Sequence, residues 1–165
     1  MPTSNETFKE FLALPDTFCD CDKCKEMCLN TRPCWGLPSE FKLILETHPE
    51  YAKLLMLDYF SDSPDEEYPD GFYAEILSGG LIDKSGEYYG GRTTPFIPIG
   101  KCLLLNKDNH CMIHDLKPIE GRKVIHDVEP LSAYSIHYEL AKLWNTPEGK
   151  EVIDLWHKLI GNYNR

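Results

Sequence analysis

Two groups of cysteines set the tightest limit on how this chain can fold. The first is Cys21-Asp-Lys-Cys24-Lys-Glu-Met-Cys28, flanked by Cys19 and Cys34; the second is the pair Cys102 and Cys111. Thiolates so close in sequence repel one another unless a cation or a disulfide holds them. A tetrahedral zinc ion takes about four N or S ligands at a Zn–S distance of about 2.3 Å, and a Cys-x2-Cys turn supplies two of them from one side. The two groups therefore read as two halves of one metal site, with Cys21, Cys24, Cys28, Cys102 and Cys111 as candidate ligands.

The surroundings of the cysteines bear on metal against disulfide. Residues Met1 to Asp16 carry neither the basic flank nor the apolar core of a secretory signal. The expected compartment is the cytoplasm, where clustered thiols take metal rather than form disulfides. The odd count of seven cysteines points the same way. No apolar run reaches the roughly 18 residues that would suggest a membrane span, so no membrane partner is expected.

Charge narrows the partners further. The 165 residues hold 17 basic and 27 acidic side chains, a formal charge of −10. Affinity for nucleic acid rests on Lys and Arg against phosphate, and no basic stripe is present, so no nucleic-acid partner is expected. Acids gather between Asp58 and Asp70, which reads first as a solvated loop and second as a partner-binding surface.

An apolar fraction of 42% suffices for a real core in a single domain of residues 1–165. Phe8, Phe11, Leu12 and Leu14 mark a short amphipathic helix within 5–14, before the Cys-rich loop 19–36. Pro38 suits a first helical position, and apolar residues continue at helical spacing to about residue 58, with a possible break at His48-Pro49. The middle, 72–113, is rich in Gly and Pro and carries short β-prone pieces: Phe72–Leu77, Gly86–Tyr89 and Pro95–Ile99. Lys101–Leu105, a polar turn at Asn106–Asn109 and Cys111–Ile113 read as a β-hairpin with a cysteine on each arm. Two helices over about 132–161 close the chain, the second capped by Thr146 and Pro147 and stopped at Gly161. The resulting expectation is an α+β fold: a small irregular domain in which a Cys-rich loop and a β-hairpin meet at a metal site, packed by several helices.

The segment Cys102-Leu-Leu-Leu-Asn-Lys-Asp-Asn-His-Cys111-Met-Ile-His-Asp-Leu-Lys-Pro118-Ile-Glu-Gly121-Arg122 resembles the second signature of the YkgJ-type zinc- or iron-chelating proteins. Cys34-Trp35-Gly36-Leu37-Pro38-Ser39-Glu40 is similar to the turn and helix start after that family's first cluster. The resemblance covers about a third of the chain and implies Cys21, Cys24, Cys28, Cys102 and Cys111 as metal ligands. It departs in two places: Cys28 is followed by Leu29 rather than a second cysteine, and Gly121 stands where the family has its last cysteine. Fewer thiolates remain than a full family site uses, which favours one four-coordinate ion.

Other residues read more plainly. Cys19 and Cys34 are extra ligands or small buried side chains. His110 and His114 read as turn or packing residues before ligands. Gly-x-Ser-x-Gly, the phosphate-binding Gly-Lys-Ser/Thr loop and His-Glu-x2-His are absent, so no catalytic residue is named. The leading function is a structural Cys-coordinated zinc site. Its rivals are an iron or iron–sulfur protein with redox work, and a partner-binding adaptor that uses metal as scaffold.

Overall fold

The computed structural model describes residues 2–17, 21, 36–59, 74–77, 81–82, 88–89, 104–123 and 133–163. Helix α1, Ser4–Ala13, opens on a capping box. The Thr3 hydroxyl accepts from the Glu6 N–H at 3.1 Å, and the Thr3 N–H donates to the Glu6 carboxylate at 3.0 Å. Helix α2, Pro38–Thr47, begins with proline at its first position and ends at His48. A 3-10 turn, Pro49–Leu54, follows, because Pro49 cannot continue the α-helical ladder. Residues Met56–Tyr59 then form strand β1. The break expected at His48-Pro49 is present, and the apolar spacing that continues to about residue 58 is a 3-10 turn and a strand rather than α-helix.

Strand β1 pairs antiparallel with β2, Ala74–Leu77, in the register Met56↔Leu77 to Tyr59↔Ala74. A separate pair joins β3, Leu81–Ile82, to β4, Tyr88–Tyr89. After a 3-10 turn at His114–Leu116 come the single-turn helix α3, Ile119–Arg122, then α4, Ala133–Trp144, and α5, Pro147–Tyr163. Helix α5 runs past Gly161, which does not stop it.

The α+β expectation is corrected here. The described part is mostly helical, and its β-structure is two unconnected two-stranded ladders plus one isolated bridge. Strands of two to four residues in lone pairs cannot bury a sheet face, so helices supply the core. Residues 101–103 of the expected hairpin lie outside the described residues; within 104–113 the two arms meet at the bridge Leu105↔Cys111 and through a Met112 N–H to Leu104 C=O bond of 2.8 Å. Beyond them Ile113 turns inward to the core and the chain enters its 3-10 turn. A loop and hairpin meeting at a metal site is likewise not what the described residues contain. The β-prone piece Pro95–Ile99 and the acids from Asp62 to Asp70 lie outside them.

Among the described residues, two apolar clusters fill the interior. The larger gathers Phe41, Ile44 and Leu45 of α2, Ala52, Leu55, Leu57, Leu104, Ile113, and Trp144, Val152, Ile153 and Trp156 of the last two helices. The smaller joins Phe8 and Phe11 of α1 to Ile119, Ile136 and Leu140. Both buried indoles are satisfied: Trp144 donates to the Gly36 carbonyl at 2.7 Å and Trp156 to the Ala52 carbonyl at 3.0 Å. The turn between α4 and α5 is close. The Thr146 hydroxyl accepts from the Gly149 N–H at 3.3 Å, and a Cβ on Gly149 would fall 2.3 Å from the Trp144 carbonyl oxygen, so only glycine fits.

Candidate functional site

Of the five candidate ligands, Cys21 and Cys111 are among the described residues; Cys24, Cys28 and Cys102, like the extras Cys19 and Cys34, lie outside them. Cys21 is exposed, Cys111 is half-buried, and neither is in a disulfide. Among the described residues no group of three or more His, Cys, Asp or Glu side chains is arranged to hold a metal ion. Two thiols are the right donors for zinc or iron but fill only part of a tetrahedral shell.

Cys111 stands at the foot of a tightly built turn. The Asn106 carboxamide oxygen accepts from the N–H groups of Asp108, at 2.8 Å, and His110, at 3.0 Å. The Asn106 N–H donates to the His110 carbonyl at 2.9 Å, and Asn109 takes the left-handed conformation with φ 62°. Asparagine serves both places because its short amide closes such turns and tolerates positive φ. His110 is exposed at this turn and His114 half-buried just after it; neither joins Cys111 in a ligand group. Cys111 itself leans on the larger cluster. Burial pushes its thiol pKa up, opposed by a backbone bond at Ile113 and by the Lys117 charge. A thiol in that setting stays protonated and unreactive unless a cation holds it as thiolate.

The sequence reading did not foresee a polar clasp at the two ends of the Cys-rich segment. On the near side, the Thr17 N–H donates to the Arg122 carbonyl at 2.6 Å, and Asp16 pairs with Lys123 at 2.9 Å and with Arg122 Nε at 3.4 Å. Lys123 Nζ also donates to the Leu14 carbonyl. On the far side, Gly36 lies so near Pro118 that a Cβ would meet the proline ring at 2.6 Å. Glu40 Oε1 accepts from the N–H groups of Leu37, at 2.8 Å, and Ile119, at 3.0 Å, while Oε2 takes Arg122 Nη1. Arg122 Nη1 reaches the Lys117 carbonyl as well, at 2.6 Å.

Electrostatics follow this geometry. The hydrogen bond from Lys123 lowers the Asp16 pKa; desolvation opposes it, and the charges of Arg122 and Lys123 add to the lowering. Burial works against the Arg122 cation, and Glu40 and then Asp16 outweigh it, so its pKa is raised. The only signals in the sequence were a glutamate in the first turn of α2 and an arginine beside Gly121; nothing in one dimension pairs residues 82 positions apart.

Comparison of the chain with models of known protein families, with characterised proteins and with solved structures finds no match. No helix among the described residues is long and apolar enough to cross a membrane.

Proposed function

We propose that the protein binds one metal ion, zinc, through cysteines drawn from Cys21, Cys24, Cys28, Cys102 and Cys111, and that the ion is structural. The observation that supports this is the clasp. Thr17, just before the Cys-rich segment, and Gly36, just after it, are both held against residues 118–123, and Cys111 lies seven positions before Pro118. A segment that starts and returns at the same short helix, with the second cysteine group close by in sequence, fits donors supplied from two parts of the chain to one ion. The similarity of these segments to the YkgJ-type chelating proteins supports the same reading.

Thiolates alone can fill four positions. An all-sulfur shell is electron-rich and leaves no place for an exchangeable water, which makes the ion a poor Lewis acid and a good cross-link. Closing a long chain segment in this way restricts the unfolded chain and adds coordination energy to the folded state. The reading also carries a cytoplasmic setting and no nucleic-acid or membrane partner.

Elemental analysis of the purified chain tests the proposal. We expect about one zinc per chain, loss of metal in Cys24→Ser and in Cys111→Ser, and little change in Cys19→Ser. Cobalt substitution should give a strong tetrahedral thiolate spectrum that added small anions leave unchanged. A wild-type chain without metal, or full retention in both ligand variants, would falsify it. Iron with a brown colour would replace zinc by a redox centre.

A further inference from the structure

Glu40 and Arg122 together touch both ends of the Cys-rich segment. Glu40 reaches Leu37 at the far end and Ile119 of α3 through one carboxylate oxygen, leaving the other for Arg122. Arg122 reaches Asp16 through its side chain and Thr17 through its backbone carbonyl at the near end. The pair is sheltered, with side-chain exposures of 13% for Glu40 and 22% for Arg122, so salt screens it less than a surface pair. The guanidinium is a planar fork that fixes direction as well as charge, which a lysine cannot copy. Apolar packing at Gly36, Pro118 and Ile119 already buries this region; the charged pair adds a fixed arrangement of three chain segments.

We propose that the Glu40–Arg122 pair, seconded by Asp16 and Lys123, is a positioning device for the metal site: it holds the two ends of the Cys-rich segment together before any ion arrives. The inference rests on the metal-binding reading above. Part of the entropy of closing the segment is then spent when the apolar and ionic contacts form, and less is charged against metal binding. Glu40 and Arg122 are not ligands in this scheme. Their effect is on affinity.

The test is zinc affinity by competition with a chromophoric chelator at neutral pH, on the full chain. Wild type is compared with Glu40→Gln, Arg122→Gln, Arg122→Lys and, as a control in the larger cluster, Val152→Ala. Glu40→Gln and Arg122→Gln should weaken zinc binding by about tenfold or more, the usual scale for a supporting partner outside the ligand shell. Arg122→Lys should recover part of the loss. Val152→Ala should lower thermal stability and leave zinc affinity within about twofold, since Val152 makes none of the clasp's bonds. If Glu40→Gln does not fold, Asp16→Asn at the exposed edge of the clasp should show the same loss on a smaller scale. Wild-type affinity in Glu40→Gln and Arg122→Gln overturns the positioning role and leaves the metal reading standing. An equal loss in Val152→Ala overturns it too, by showing that affinity only tracks stability. A wild-type chain that takes no zinc overturns both.

Discussion

Leu140 and Trp144 lie one turn apart on α4, yet each belongs to a different cluster. Around Trp144 the packing is dense and aromatic: the indole meets Phe41 edge-on at 5.9 Å, its N–H is taken by Gly36, and the side chain is fully buried. Around Leu140 the cluster is small, and polar groups finish it. Glu139 is buried beside it, accepting from the Ser4 hydroxyl at 2.6 Å, and the Glu40–Arg122 clasp closes the side next to Ile119. One region is held by apolar area and the other by directed bonds around a modest apolar patch. Apolar packing is non-directional and tolerates adjustment, whereas a sheltered polar clasp fixes a particular arrangement and becomes a cost once a partner is missing. The directed region is the one that bonds Thr17 and Leu37, residues on either side of the cysteines of the first group.

The largest effect is expected from truncating the Trp144 indole at the centre of the apolar region. Trp144→Ala should cost about 3–5 kcal/mol, from lost transfer energy and the cavity left behind. Urea denaturation followed by circular dichroism measures it. A loss below about 1 kcal/mol would mean that the larger cluster does not depend on the indole, against the usual cost of such truncations.

Glu40→Gln probes the directed side in metal-free protein. It leaves Arg122 sheltered without its carboxylate, and bonds to charged groups are typically worth about 1.5–3 kcal/mol. Hydrogen exchange should rise first at the Thr17 and Ile119 amides and leave α5 unchanged, as expected for local opening. Uniform loss of protection across both clusters would erase the distinction between them.

The smallest effect belongs to Asp16. Its folded-state pKa is lowered below the ordinary 3.8, first by the Lys123 hydrogen bond. A lowered acid contributes stability that is present above the unfolded value and disappears as pH falls through the folded one. Being exposed, it should contribute little. Denaturation midpoints of wild type and Asp16→Asn should differ slightly at neutral pH and converge as acid carries the pH through the lowered folded-state value. A gap that persists in acid would show that the side chain acts by shape rather than charge.

What the sequence displays are features written within a few residues. Thr146 and Pro147 open α5, Pro38 opens α2, and Ile136, Leu140 and Trp144 share a stripe because helical geometry repeats locally. The stretch Leu54–Leu57 is apolar and ambiguous between helix and strand; Pro49 and the later pairing of β1 with β2 decide it. The α+β class failed for a related reason. Gly-bounded β-prone pieces and a hairpin suggest an α+β domain, and among the described residues they amount to two short ladders and one bridge. For the site, cysteine spacing supplies candidate donors, whereas the clasp depends on residues that meet only after the chain has closed on itself.

Residues that meet only after the chain has closed also affect how fast it folds. The Gly36–Trp144 bond spans 108 positions, Ala52–Trp156 spans 104, and Ser4–Glu139 spans 135. Individual helices form within about a microsecond, but such joints require most of the chain to be looped first. A largely helical composition would suggest a fast folder. The expectation is that search for these distant partners, rather than winding of α2, α4 and α5, sets the pace of folding. Trp144 serves one of these joints, and its arrival against Gly36 ties together parts of the chain 108 positions apart.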